Sequence, residues 1–564
     1  MTLSLLWPPH LSPQAQTTQM SLSDAAARDL GLDKIVAAIA PERQYQPFCT
    51  AILRQLNTNR EVIQYRQAVL ADLMAHPRLM EQLADLLPQI DDLASFRTDP
   101  FFPEKTVLHE VSWRLGELES MVTCVTSLGR MFRGVGEGLR AEGWRQLRDA
   151  AAQMEQNDTF RQLAQELPGL LEQLRAVGSI TIGVNLDNLL RPVEATLIAI
   201  NTEKFRSSGF LQKLLGRSND VWQGLTELHT ATNRDAPMNP VTSDQRHAAA
   251  NPLLIPLFRD LADILDKTCK PIAKALEQYT RLNGQFLTSL RHELHFYLGA
   301  AALYRRFQVL GLPLCQPEVD PVEDRSCQVE AGYNFNLALH WLADQGVARR
   351  IVRNGVGFGE RGRVFILTGP NQGGKTTYLQ AVGLTFVLAQ AGLLVPGTSA
   401  RISPVDGIYT HYPVEEALEK GTGRLGDEAK RLNELFGQAT RYSLILLNET
   451  FATTSAGESF YLAQDVVRIL RQMGVRAIYA THLHDLAAAT DELNTTTPGD
   501  GQIVSLVASP ITTDGDGNHR SYTIQPGPPL GRSYAREIAT RYGVSYEQLT
   551  GLLQKRGQLP DPKV

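Results

Sequence analysis

The sequence predicts a multi-domain chain with a mainly α-helical N-terminal region and a C-terminal α/β domain. Three observations predict it. From Ser21 to about Ala94, and again from about Leu108 to Val177, apolar residues recur at helical spacing. In the last third of the chain, short apolar runs alternate with helical patterns, the signature of a parallel sheet covered by helices. Within that third the run TGPNQGGKTT, Thr368 to Thr377, fits the phosphate-loop pattern G-x-x-x-x-G-K-[ST] at Gly369, Gly374, Lys375 and Thr376.

The elements follow in chain order. Residues 1–20 have no basic start and carry prolines where the apolar centre of a signal peptide would stand, so they read as a flexible lead-in. Residues 21–105 read as a helical segment. SLSDAAARDLGLDKIVAAIA opens on Ser and Asp caps, and Val62, Tyr65, Val69, Leu70 and Leu73 keep helical spacing. Its end, Ser95 to Lys105, holds two prolines and three phenylalanines and reads as a linker. Residues 106–252 are helical with a β-hairpin near 179–201. Ile180, Ile182, Val184 and Leu186 alternate with a period of two, and the β-branched run Val193 to Asn201 can pair with them. A basic stretch follows (Lys204, Arg206, Lys213, Arg217), then a polar, proline-bearing loop over about 231–250. Residues 253–328 read as long helices broken at Pro271 or near Gly284, closing in an acidic, proline-rich boundary from Gly311 to Cys327. The α/β domain takes 329–564.

Composition narrows the function classes. The chain has 564 residues, 43% hydrophobic and 20% charged, so it can bury large cores. A net charge of −5 argues against a uniformly basic nucleic-acid binder but allows a local basic groove. Five scattered cysteines, without C-x-x-C spacing, indicate neither a zinc site nor a disulfide framework, and fit a reducing cytoplasm. No stretch reaches the roughly 20 apolar residues of a membrane span, so no membrane partner is expected.

The chemistry-bearing residues lie at strand ends. Val364 to Leu367 reads as a buried strand before the phosphate loop, and Tyr378 to Leu388 as a helix after it. In that setting backbone N–H groups and the helix N-terminus bind phosphates, Lys375 reaches the β and γ groups, and the Thr376 hydroxyl ligates Mg²⁺. The apolar run Tyr442 to Leu447 ends in Asn448-Glu449. The first position of such a pair holds Mg²⁺ and the second polarises the attacking water. Asn448 offers a carbonyl oxygen but no charge, and Glu449 is the candidate general base. A third strand, Arg476 to Ala480, ends in Thr481-His482. A strand-end histidine is commonly structural, but a phosphate loop and an acid in the same order make His482 a candidate to sense the γ-phosphate or to hold the attacking water.

These motifs resemble those of the MutS family of DNA mismatch-repair proteins, whose ATPase domain is a P-loop domain of ABC type. TGPNQGGKTTYLQ (Thr368 to Gln380) is similar to the family's phosphate loop, so the resemblance places nucleotide on Gly369, Pro370, Asn371, Gln372, Gly373, Gly374, Lys375, Thr376 and Thr377. Arg353-Asn354 resembles its loop near the adenine, adding Asn354. Ser443 to Ser459 resembles its Walker B strand and following loop, with Thr454-Ser455 at its small hydroxyls and Glu458 at an acid. Ala480 to Leu486 resembles its histidine switch. Pro526 to Val544 resembles an element in which a Ser-Tyr pair precedes a helix. The resemblance spans Asn354 to Val544, about a third of the chain. More loosely, Tyr65 to Leu73 and the tract before Gly311 resemble the family's lever and core, which implies a helical lever and clamp.

The departures from the family pattern shape the expectation. Mismatch readers carry an N-terminal domain with a Phe-x-Glu motif. Phe102-Pro103-Glu104 matches that triplet only inside a proline-rich linker and is read as coincidence. The chain is therefore expected to be a member without the mismatch-reading domain. The family's signature loop sends a serine to the partner's ATP. Counting back from the Walker B strand puts Gly423 there, with Thr422 beside it. Little chain follows Val544, so the family's C-terminal dimerisation element is expected to be short.

The resemblance implies ATP and Mg²⁺ as cofactors, catalytic roles for Lys375, Glu449 and His482, and a metal site at Thr376, Asn448 and Glu449. It also implies a homodimer of ATPase heads completed in trans by Thr422 and Gly423, phosphate-backbone contact with DNA, repair partner proteins, and a cytoplasmic or nucleoid-associated location. Three readings stay open: an ATP-driven DNA clamp in repair or recombination, a nucleotide-switched scaffold that hydrolyses weakly because of Asn448 and Gly423, and another ABC-type ATPase such as a transporter motor. The missing membrane spans and serine count against the last.

Overall fold

A computed structural model describes residues 3–11, 21–95, 107–175, 179–189, 192–201, 269–280, 282, 284–343, 351–370, 372–413, 424–452, 455–508, 521–529, 539–540, 542–556 and 558. The proline-rich linker with Phe102-Pro103-Glu104, the basic stretch Lys204 to Arg217 and the polar loop at 231–250 lie outside these residues. The chain divides into two units. One comprises 1–84, 137–146 and 289–564, the other 85–136 and 147–288.

The second unit is helical with one hairpin. Helices Val107–Val135 and Asp158–Arg175 pack through buried Leu115, Leu118, Met121, Cys124 and Val125 on one and Phe160, Leu163 and Leu167 on the other. Arg114 donates to the carbonyls of Tyr279 and Leu282 at 2.6 and 2.9 Å, and the Tyr279 hydroxyl donates to Glu166 at 2.6 Å. Strands β1 (Ser179–Leu186) and β2 (Pro192–Asn201) form the antiparallel hairpin, with register shifts at Thr181/Ile182 and Asn185/Leu186. Bulges of this kind increase local twist.

The first unit opens with a departure from the sequence reading. Residues 1–20 read as a flexible lead-in, yet Leu5 and Leu6 are buried and Trp7 nearly so. The reason is a set of backbone partners supplied by two helices, α1 (Arg60–Ala75) and α2 (Gln285–Val309). Tyr65 and Arg66 on α1 donate to the carbonyls of Ser4 and Leu6 at 2.7 and 3.1 Å. On α2, Tyr297 donates to the Leu5 carbonyl at 3.0 Å, and Glu293 accepts from the Ser4 hydroxyl at 2.9 Å and from the Leu5 amide. With its polar groups satisfied, an apolar triplet gains by burial. Residues 12–20 lie outside the described set.

The α/β domain carries a six-stranded sheet. In chain order its strands are β3 (Val364–Thr368), β4 (Ile408–His411), β5 (Leu444–Asn448), β6 (Arg476–Ala480), β7 (Ile503–Ala508) and β8 (Ile524–Pro526). The spatial order is β4-β5-β6-β3-β7-β8, parallel except for antiparallel β8. Every residue of β3, β5 and β6 is buried, as expected of a parallel sheet covered on both faces. Val364, Ile366, Ile445, Leu447, Ala477 and Tyr479 face one way and share a core with helices α4 (Arg424–Gln438), α5 (Ala456–Met473) and α6 (His484–Ala488). Helix α3 (Lys375–Gln390) packs on β5 and β6. The helical N-terminal region and this mixed α/β domain with its parallel sheet are the fold class the sequence predicts. Among the described residues no helix is long and apolar enough to cross a membrane.

At the N-terminal edge of the sheet one carboxylate serves three guanidinium groups. Asp500 meets Arg325 at 2.5 Å, Arg363 at 2.6 Å and Arg441 at 2.9 Å. Burial acts to raise its pKa, but its hydrogen bonds and the charges of Arg325 and Arg363 outweigh that and hold it below the ordinary value. A lowered carboxylate pKa adds stability above the unfolded value that disappears as pH falls through the folded one. Asp500→Asn leaves the buried Arg363 uncompensated. Because Asp500 is 43% exposed, water screens part of the loss, and we expect about 1–2 kcal/mol. Denaturant midpoints across pH test this: the gap between the two proteins persists at neutral pH and closes below about pH 4.

Candidate ATPase active site

The site is built where three parallel strands end side by side. β3 sits between β6 and β7, so the loop after it emerges in mid-sheet. β5 ends in Asn448 and leads to Glu449, while β6 ends at Ala480 and leads to His482. The ladder itself runs one step further, with the Glu449 amide donating to the Ala480 carbonyl at 2.8 Å.

Backbone geometry makes the loop after β3 glycine-dependent. Gly369 has φ +150°, and a Cβ there would sit 2.7 Å from the Ala508 Cβ. Gly374, which caps α3, has φ +88°. Both are conformations that glycine alone adopts without cost. Gln372 takes φ +61°, the Pro370 carbonyl accepts from the Gly373 amide at 3.0 Å, and Asn334 donates to the Thr377 carbonyl at 2.8 Å. Asn371 lies outside the described residues. This curved loop and the N-terminus of α3 form a concavity suited to an anionic phosphate chain.

Lys375 is 5% exposed, and its ammonium donates to the carbonyls of Gly369 and Pro370 at 3.0 and 3.3 Å. It lies 3.7 Å from the Glu449 carboxylate and 3.4 Å from His482 Nε2, and Glu449 and His482 meet at 2.7 Å. The structure therefore brings together the three side chains singled out as catalytic. Burial lowers the Lys375 pKa, opposed by the Glu449 charge and hydrogen bond. The His482 hydrogen bond is the largest influence on Glu449. With the charges of His482 and Lys375 it overcomes burial and lowers the carboxyl pKa.

Two of the three residues expected to hold the metal, Thr376 and Asn448, are neutral. Asn448 Nδ2 donates to the Thr376 hydroxyl at 3.2 Å, while Glu449 turns to His482 and Lys375 instead. Among the described residues no cluster of three His, Cys, Asp or Glu could hold a metal. Mg²⁺ is commonly bound by one or two carboxylates together with substrate phosphates. Thr376 and Asn448 fit such an ion only as neutral oxygen donors, leaving its charge to be met by nucleotide phosphates.

The neighbouring motif residues have definite places. The Asn354 amide donates to the Tyr522 carbonyl at 3.0 Å and accepts from the Ile524 amide at 2.8 Å. It thereby holds Tyr522, whose ring would lie 3.4 Å from a Cβ at Gly374. Sequence reasoning did not find Tyr522. A single aromatic with φ +51° in a connection carries no periodic signal. Ser455 caps the start of α5: its Oγ accepts from the Glu458 amide and donates to the Glu458 carboxylate at 3.0 Å. Thr422, Gly423 and Thr454 lie outside the described residues, as does the Ser-Tyr pair after Pro526.

The turn carrying Glu449 is strained. Glu449 and Phe451 have φ +52° and +66°, unusual for side-chain-bearing residues. The Ala452 amide closes the turn on the Glu449 carbonyl at 3.2 Å, and Phe451 occupies the third position, which type II turns give to glycine.

A parallel sheet whose strand ends gather a phosphate loop, an acid and a histidine defines a P-loop ATPase domain. Two family models match in sequence order: the MutS2 N-terminal domain over residues 58–310 and MutS domain V over 365–543. The chain belongs to the MutS family. It is 30% identical over 230 residues to "Endonuclease MutS2" of Thermus thermophilus and 34% identical over 249 residues to "Endonuclease MutS2" of Thermomicrobium roseum. These matches cover 40% and 43% of this chain and 29% of each relative. It is 34% identical over 155 residues to "DNA mismatch repair protein MutS" of Haloquadratum walsbyi, covering 27% of this chain and 16% of that one. The matched segments thus span less than a third of these relatives' own length.

Phe451 is buried in the core beside α4, α5 and α6. Phe451→Gly removes left-handed strain worth about 1–2 kcal/mol but forfeits burial worth about 3–5 kcal/mol for a Phe truncation. Packing wins, so the variant is destabilised by about 2 kcal/mol, read as a lower denaturant midpoint. A more stable variant contradicts this balance.

Proposed function

We propose that the chain is an ATP-dependent DNA-binding protein of the MutS type, in which ATP binding and hydrolysis move a helical clamp during DNA repair or recombination. The convergence of Lys375, Glu449 and His482 beside the phosphate loop supports this reading above all. Nucleotide lies on residues 369–377 with its base near Asn354 and Tyr522. Lys375 meets the β and γ phosphates, Glu449 is the general base, and His482 senses the γ-phosphate. Mg²⁺, held at Thr376 and Asn448, would neutralise phosphate charge. Two heads pair as a homodimer, each supplying Thr422 and Gly423 to the other. DNA contact is mainly with backbone phosphates, repair proteins act as partners, and the location is cytoplasmic. Differential contact of the γ-phosphate with two arrangements of the heads supplies the switch.

A second reading has its own observation. Neutral Asn448 at the metal position, with Gly423 in the signature loop, favours a nucleotide-switched scaffold with slow hydrolysis. ATP turnover measured with and without DNA separates the two. Lys375→Ala abolishes turnover and weakens nucleotide binding in either case, and intact binding in that variant refutes the site. Asn448→Asp raises turnover about tenfold if the metal shell is limiting, the scale of one added charge-assisted contact. Unchanged turnover assigns the limit elsewhere.

DNA affinity should fall linearly in log–log form as salt rises, with a slope set by the number of phosphates neutralised. Titrations against homoduplex, mismatched, single-stranded and junction DNA at several salt concentrations measure it. A salt-independent affinity overturns the phosphate-contact reading.

A further inference from the structure

Glu428, on helix α4, reaches the turn that carries Glu449. Its carboxylate accepts the Phe451 amide at 3.0 Å. Phe451 holds φ +66° and Glu449 φ +52°, so the backbone here is kept where side-chain-bearing residues do not settle unaided. Two further side chains grip the residue between them. The Tyr479 hydroxyl donates to the Thr450 carbonyl at 2.8 Å, and the Thr450 hydroxyl pairs with His411 Nδ1 at 2.9 Å. On the far side of the turn, Ser459 donates to the Phe451 carbonyl at 2.7 Å.

We propose that Glu428 is a positioning residue for the hydrolytic base: by holding the Phe451 amide, it fixes the left-handed turn that aims the Glu449 carboxylate at His482 and Lys375. The inference rests on the ATPase reading above. The Phe451 amide is buried with its residue, and without Glu428 no other hydrogen bond fixes it within the described contacts. The turn then relaxes toward ordinary φ values and swings the Glu449 side chain with it, because backbone rotation at Glu449 reorients its Cα–Cβ bond. Lys375 keeps its contacts with the Gly369 and Pro370 carbonyls, and these and the phosphate loop are anchored by β3 and α3 independently of Glu428. Loss of Glu428 therefore acts on turnover and not on nucleotide capture.

Two variants of the full chain test this, with fluorescent ATP analogue binding, ATP turnover and thermal unfolding measured on each. Glu428→Ala is expected to lower kcat at least about tenfold, the scale of a misaligned reacting group, with nucleotide Kd within about twofold of the parent. Glu428→Gln keeps an oxygen acceptor for the amide and is expected to restore most of kcat. Three outcomes overturn the proposal: Glu428→Ala turning over like the parent, Glu428→Ala losing binding and turnover together, or Glu428→Gln failing as badly as Ala while remaining folded. The parent protein separates the two levels of the claim. If it binds no nucleotide or hydrolyses none, the ATPase reading fails. If it does both and Glu428→Ala matches it, only the positioning role fails.

Discussion

The buried ammonium of Lys375 is the constraint on which the nucleotide site depends. Taking such a charge out of water costs several kcal/mol, and the structure offsets this with two loop carbonyls and a carboxylate at 3.7 Å. Each partner arrives from a different element. The carbonyls come from the loop after β3, the carboxylate from the turn after β5, and His482 from the end of β6. A lysine on a helix N-terminus alone would be hydrated and mobile. Here sheet topology holds it, because β5, β6 and β3 are consecutive neighbours and all point the same way.

That arrangement has a chemical consequence. Glu449 is held below its ordinary pKa by the same contacts that hold Lys375, and a carboxylate stabilised in this way is a weak base. Under the proposed function, a γ-phosphate would compete with Glu449 for the Lys375 ammonium and for His482. Bound nucleotide would then weaken the contacts that lower the Glu449 pKa, an electrostatic form of coupling between binding and chemistry.

Much of this was legible in the sequence, and the unread parts have physical explanations. The phosphate loop, the strand leading to Asn448-Glu449 and the strand ending at His482 are short-range patterns, and each can be read without knowing what packs against it. The hairpin at 179–201 was legible for the same reason, since a period of two needs only its own residues. Ser4 to Trp7 was misread because its burial depends on Tyr65, Arg66, Glu293 and Tyr297, partners 60 to almost 300 positions away. Tyr522 and Glu428 were missed for a related reason. One is placed by an asparagine 168 positions upstream and the other acts through a backbone amide, and neither relation leaves a pattern in composition or spacing. The acid Glu458 shows the reverse case, a motif residue whose carboxylate accepts from Ser455, the cap of the helix on which it lies.

Asn448 bears on how far the site departs from a fully charged metal centre. An aspartate at that position would stand beside Glu449 and near Lys375, adding a second anion to a pocket with one buried cation. The phosphates of a nucleotide bring several more negative charges. Under the proposed function, asparagine contributes one fewer anion, so nucleotide binding would lean less on Mg²⁺, while hydrolysis would lose a carboxylate that helps to place the ion. One neutral side chain would thus favour binding and slow turnover together, the behaviour proposed for the nucleotide-switched scaffold.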